Sequence, residues 1–235
     1  MFQPADPRAL VTVSPLPIEI EVETGTKLRG HEWLVLGPPI VMVHDEGGDL
    51  DAWGPALQMC ADAGFHVIAI DLRGHGLSDG VANSKSLESD LAALVRQVNR
   101  VWGPCGLVLA GRACRAALSI GKDAGVPTQV FLTPDISEIK RATIRSAALA
   151  IRMVIVGTLD EVAKKESERV FEALPGQKVM ASVGDASRGE RLVRKRAHLV
   201  EDICSFFRMY LPPSHPHPSS APASRDSSIP PKTEV

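Results

Sequence analysis

Residues able to do chemistry stand mainly at the ends of short apolar runs. Asp71-Leu72-Arg73-Gly74-His75-Gly76-Leu77-Ser78 follows one run and holds an acid, a base and a hydroxyl within eight positions. Glycines at that density fit a tight loop, and the polar side chains are expected to satisfy its backbone rather than act on a substrate. Gly111-Arg112-Ala113-Cys114-Arg115 follows a second run. A thiol at the start of a helix can be acidified and reactive, so Cys114 is a candidate nucleophile; a packing cysteine is the preferred reading. Asp160 and Asp135 follow two further runs, and Arg188 precedes the last helical segment. No histidine occurs between residues 76 and 197, so no imidazole base is available over that stretch. The four cysteines, at 60, 105, 114 and 204, form no CxxC pair or zinc spacing. Phosphate-loop, dinucleotide and zinc-helix motifs are absent, so neither a cofactor nor a metal is expected.

The elements that must position these residues read as alternating strands and helices. Ile18–Glu23 alternates apolar and acidic residues, the period of a half-exposed strand. A turn at Thr24–Thr26 leads to a second strand expected near Trp33–Leu36. Buried strands are expected at Ile40–Val43, His66–Ile70, Gly106–Ala110, Gln129–Leu132 and Ile151–Val156, with a further strand at Lys178–Val183. Helices are expected at Asp51–Ala63, Ser86–Val101, Cys114–Ala124, Glu161–Ala173 and Glu190–Tyr210. This alternation predicts an α/β domain with a mostly parallel sheet covered on both faces and a site at the C-terminal strand ends.

The segment PPIVMVHDEGGDLDAWGPALQMCADAGFHVIAIDLRGHGLSDG resembles the α/β-hydrolase superfamily. His44, Trp53 and the D-x-R-G-H-G-x-S loop carry the resemblance, and the element order follows the family to residue 211. The short linker between the strands near 130 and 153 implies a compact member without a lid domain, similar to dienelactone hydrolases and lysophospholipases. The resemblance also assigns catalytic positions. Registered on its strand and Gly111, the nucleophile position is Ala113, whose methyl cannot attack a carbonyl. A small residue is expected two positions later, where Arg115 stands. Arg188 occupies the place of the catalytic base, and a guanidinium cannot accept a proton. Asp160 matches the family's acid, with Asp135 as the alternative; a helix cap is the other reading of Asp160. An Asp160–Arg188 ion pair is expected. His44, Asp45, Arg112 and Cys114 would line the oxyanion region, with Asp45 and Glu46 adding unusual negative charge.

Two functions therefore stand side by side. One is a hydrolase-fold protein with a degenerate triad, binding a small, including anionic, molecule or a protein partner. The other is an active ester or thioester hydrolase using non-standard groups, with Cys114 or Ser187 as candidates. The 235 residues are 44% hydrophobic and 23% charged, with a net charge of −2, which argues against nucleic-acid or anionic-membrane binding. The basic cluster Arg191, Arg194, Lys195 and Arg196 is flanked by acids and reads as a solvated helix face. No secretory signal or membrane span is evident, and a cytoplasmic protein is expected. Residues 1–17 are read as a loose leader, 18–211 as the domain and 212–235 as a Pro/Ser-rich disordered tail.

Overall fold

The computed structural model describes residues 13–213. The expectations for the leader before residue 13 and the tail from 214 therefore lie outside the described residues. Eight strands form one sheet in the order β1-β2-β4-β3-β5-β6-β7-β8. They are β1 (Leu16–Glu23), β2 (Thr26–Trp33), β3 (Pro39–Val43), β4 (His66–Ile70), β5 (Gly106–Ala110), β6 (Thr128–Leu132), β7 (Ile151–Gly157) and β8 (Lys178–Val183). The pairs β1–β2 and β2–β4 are antiparallel, and every other pair is parallel. The helices are α1 (Ala56–Asp62), α2 (Leu87–Trp102), α3 (Arg141–Arg145), α4 (Glu161–Ala173), α5 (Glu190–Lys195) and α6 (His198–Tyr210).

The period-two side-chain alternation sends each central strand's residues to two different layers. Val41, Val43, Leu107 and Leu109 pack beneath α2 and α4, whereas Ile40, Met42, Val108 and Ala110 pack beneath α1, α5 and α6. At Gly106 a Cβ would lie 2.4 Å from the Phe207 ring, so the absence of a side chain lets α6 lie on β5. Arg152 is fully buried in β7, donating to Gln129 Oε1 at 2.8 Å and the Ala148 carbonyl at 2.6 Å. Only α3 interrupts the connection between β6 and β7, so no lid domain is present among the described residues.

Four expected elements differ. The second strand ends at Trp33 instead of starting near it, because Leu28 and Trp33 supply its buried positions while Leu36 is exposed. The expected helix at 51–63 divides into a 3-10 turn, Leu50–Trp53, and α1, because Gly54 takes a left-handed φ of 54° just before Pro55. The expected helix at 114–124 is instead a 3-10 segment, Gly111–Leu118, followed by the short turn Lys122–Ala124. Gly121 interrupts it: its backbone presses against the Leu149 carbonyl, leaving no room for a Cβ. Finally, the long last helix breaks at Arg196, whose backbone leaves the helical region and whose guanidinium reaches Asp185 at 2.9 Å. His198 therefore opens α6 and is not inside a longer helix.

Candidate functional site

The C-terminal ends of β3, β4, β5, β7 and β8 meet at one edge of the sheet. His44, directly after β3, is fully buried; its Nδ1 lies 2.7 Å from the Asp45 carbonyl and its Nε2 accepts from Leu72 N–H at 2.9 Å. Burial depresses its pKa, and both hydrogen bonds fit a neutral ring protonated on Nδ1. The loop after β4 satisfies itself. Asp71 accepts from Leu50 N–H at 2.8 Å and Leu77 N–H at 3.0 Å, while Ser78 donates to the Asp71 carbonyl at 2.6 Å. Arg73 is clamped by Asp90, and His75 accepts from Gly47 N–H at 3.0 Å. Asp71, His75 and Ser78 hold loops in place.

After β5 the chain turns sharply at Gly111, whose φ is 50°. The space where a side chain would project from Gly111 is filled by the Asp45 carboxylate; a Cβ there would lie 2.1 Å from its Oδ2. The same carboxylate accepts from Arg112 N–H at 2.7 Å. Asp45's own N–H donates to the carboxylate of Glu190, which is buried at the start of α5. Burial raises the pKa of both acids. Ala113 and Cys114 point inward and are fully buried. The Cys114 thiol donates to the Leu109 carbonyl at 3.3 Å, and burial pushes its pKa well above the usual thiol value. Arg112 extends outward to 4.0 Å from Asp135, and Arg115 pairs with Glu46 and Glu138.

Asp160, after β7, does two things at once. Its Oδ1 accepts from Ala163 N–H at 3.0 Å, capping α4, and its Oδ2 receives Arg188 Nε and Nη2, each at 2.6 Å. The Arg188 guanidinium and the cap bond hold the Asp160 carboxyl down at about 2. A groove of about 600 Å³ opens beside these residues, with Asp45, Glu46 and Glu190 on its lining and Arg188, Arg191 and Lys195 around them. A second, of about 360 Å³, lies across Glu46 and Gly47 and is lined by Arg73, His75, Asn83 and Arg112. Among the described residues no cluster of three or more His, Cys, Asp or Glu side chains could hold a metal.

No protein-family model and no curated protein sequence matches the chain. Solved structures do. The Pyrococcus furiosus esterase Pf2001 superposes with a TM-score of 0.66 at 16% identity, over 84% of this chain and 93% of that one. A dienelactone hydrolase from Anabaena variabilis gives 0.70 at 17% identity, over 86% and 100%. The serine hydrolase CarC, involved in carbazole degradation, gives 0.69 at 12% identity, over 83% and 100%. The fold is that of the α/β-hydrolases.

An α/β-hydrolase presents its nucleophile on a sharp strand-to-helix turn. Its oxyanion site uses the N–H of the next residue and an N–H from the loop after β3. In this hydrolase fold the left-handed residue is Gly111, two positions ahead of Ala113, because β5 ends at Ala110 and the 3-10 segment begins at once. The turn therefore falls at Gly111 and not at Ala113, the position expected from the strand register; the N–H groups of Arg112 and Asp45 flank it, and both donate to carboxylates of the chain itself. The sequence reading named Asp45 and Arg112 but missed Gly111 and Glu190. Glycine there passes for the small residue before a nucleophile, and Glu190 passes for an ordinary first-turn acid. Only the sharp turn after an apolar strand offered a signal.

Proposed function

We propose that this chain is an α/β-hydrolase-fold protein that has lost acyl transfer and works as a ligand-binding or interaction module. One observation carries the reading: the two N–H groups suited to stabilise an oxyanion are already taken by Asp45 and Glu190 carboxylates. A substrate oxygen would have to displace them and develop negative charge among acids, the reverse of a preorganised oxyanion site. The remaining positions agree. Gly111 offers no side chain, Ala113 no nucleophile and Arg188, locked on Asp160, no base.

A small molecule would enter the 600 Å³ groove, where Arg188, Arg191 and Lys195 offer positive charge to an anionic group. With Arg112 N–H already occupied, such an anion would bind at this rim and not at the turn. A cytoplasmic setting, with the four cysteines as thiols at rest, belongs to the same reading; none of the described helices is long and apolar enough to cross a membrane. The competing reading, an active ester or thioester hydrolase, draws on the names of the structural neighbours, which is an argument from fold alone. Assay with p-nitrophenyl esters and an acyl thioester separates the two. The purified protein and its Ala113→Ser variant are expected to give no turnover above buffer. Turnover abolished by Ser187→Ala or Cys114→Ala would reverse the conclusion.

A further inference from the structure

The helices α1 and α6 pack against each other on one face of the sheet and bring together two cysteines 144 positions apart. The sulfurs of Cys60 and Cys204 lie 3.8 Å from each other, and both residues are almost completely buried. All four cysteines are unbonded. Cys105 and Cys114 have no such neighbour, and burial raises both of their pKa values. The Cys60–Cys204 pair needs an inward shift of under two ångströms to reach covalent distance, since a disulfide bond is about 2.0 Å long.

The two thiols are not equivalent. Cys204 borders a surface depression of about 320 Å³ that also includes Met59, Glu201 and Arg208. The Arg208 guanidinium is held there by the Ala63 carbonyl at 2.8 Å and by the Phe65 ring at 5.7 Å. The hydrogen bond between the two sulfurs and the positive charge of Arg208 both favour the Cys204 thiolate, whereas the neighbouring sulfur and burial hold Cys60 protonated. An attacking sulfur whose residue borders this depression therefore stands against a resolving thiol that does not.

We infer that Cys60 and Cys204 form an oxidisable dithiol, a modification site for hydrogen peroxide and small organic hydroperoxides. The Cys204 sulfur attacks one peroxide oxygen and the O–O bond breaks. The leaving oxygen takes the thiol proton and departs as water or alcohol, leaving a sulfenic acid. The Cys60 sulfur then attacks the Cys204 sulfur, and the hydroxyl leaves as water with the Cys60 proton. Two thiols have lost two electrons to the peroxide, and an S–S bond joins α1 to α6. The position gives the bond a consequence. α1 follows the loop that carries Asp45, and α6 follows α5, which carries Glu190; Gly54 before α1 already lies against Arg194 of α5. A bond between the helices would clamp the two segments that bracket the larger groove. Because it cross-links positions far apart in sequence, it would also restrict the unfolded chain.

The test treats the reduced full-length protein with hydrogen peroxide, then denatures it, alkylates it with iodoacetamide and maps its peptides. Two of the four thiols should escape alkylation, a linked peptide should join Cys60 to Cys204, and dithiothreitol should reverse both. Oxidation should also raise the melting temperature of the wild type by several degrees, and not that of Cys60→Ser. The Cys105→Ser/Cys114→Ser variant should cross-link like the wild type. If Cys60→Ser does not fold, the wild-type peptide map decides alone. Four alkylated thiols at a peroxide dose that oxidises free cysteine would overturn the inference. So would a Cys204 that stops at sulfinic acid, or a link through Cys105 or Cys114.

Discussion

Placing a side chain at Gly111 tests the geometry of the turn directly. In Gly111→Ser the new Cβ would stand 2.1 Å from Asp45 Oδ2 and 2.2 Å from its Cγ, at a backbone φ of 50°. The left-handed conformation costs a non-glycine residue about 1–2 kcal/mol. Displacing the Asp45 carboxylate from Arg112 N–H forfeits a charged hydrogen bond, about 1.5–3 kcal/mol. The variant should therefore lose about 3–4 kcal/mol, or roughly 10 °C in melting temperature for a domain near 200 residues. Asp45→Gly alone forfeits the same hydrogen bond, about 2 kcal/mol. In the double variant that bond is lost only once, so a double-mutant cycle by urea denaturation should show a coupling of about 2 kcal/mol. Additivity within about 0.5 kcal/mol would mean that Asp45 does not fill the space of a Gly111 side chain, and the account of the turn would fail. The double variant, with a hydroxyl on the turn and a glycine after His44, should still show no esterase activity, because Arg188 cannot take the proton.

Three further outcomes follow from individual contacts. The Asp160 pKa is about 2 in the folded protein against an ordinary 3.8, so its stabilisation is complete above the ordinary value and lost as pH falls through about 2. Asparagine can still cap α4, so the melting-temperature gap between wild type and Asp160→Asn should stay level above pH 4 and close on acidification; a gap independent of pH would exclude the Arg188 pairing. Glu190 shifts the other way: its raised pKa makes its contribution fullest below the ordinary 4.5 and weaker as pH rises, so Glu190→Gln should gain on the wild type between acid and neutral melts. A gap that widens against Gln toward neutrality would contradict the upward shift that burial gives this carboxyl. Arg152→Met should cost about 3 kcal/mol in urea denaturation, because the Gln129 amide oxygen and the Ala148 carbonyl lose their donors; an unchanged midpoint would show that those groups find other partners.

Much of the fold was legible because each layer wrote its own period into the chain. Ile40–Val43 and Gly106–Ala110 are uninterrupted apolar runs because the sheet is covered on both faces, and α4 and β8 match the residues read from sequence. The three helices read wrongly share one cause. Gly54 meets the Arg194 side chain, Gly121 the Leu149 carbonyl and Arg196 the Asp185 carboxylate, and a hydrophobic pattern does not record such contacts.

The site divides along the same line. The sequence alone determined that residue 113 carries only a methyl, that no histidine occurs between residues 76 and 197, and that Asp160 and Arg188 are opposite charges following successive strands. Those are statements about residue type, and residue type is local. Tertiary structure alone decided that the sharp turn falls at Gly111, because the sign of a dihedral depends on where β5 stops pairing. It alone brought Asp45 over that glycine and Glu190 onto the Asp45 N–H, across 67 and 145 positions between the bonded residues. A carboxylate fills an anion site only when the chain has folded it there, and no spacing rule encodes that approach.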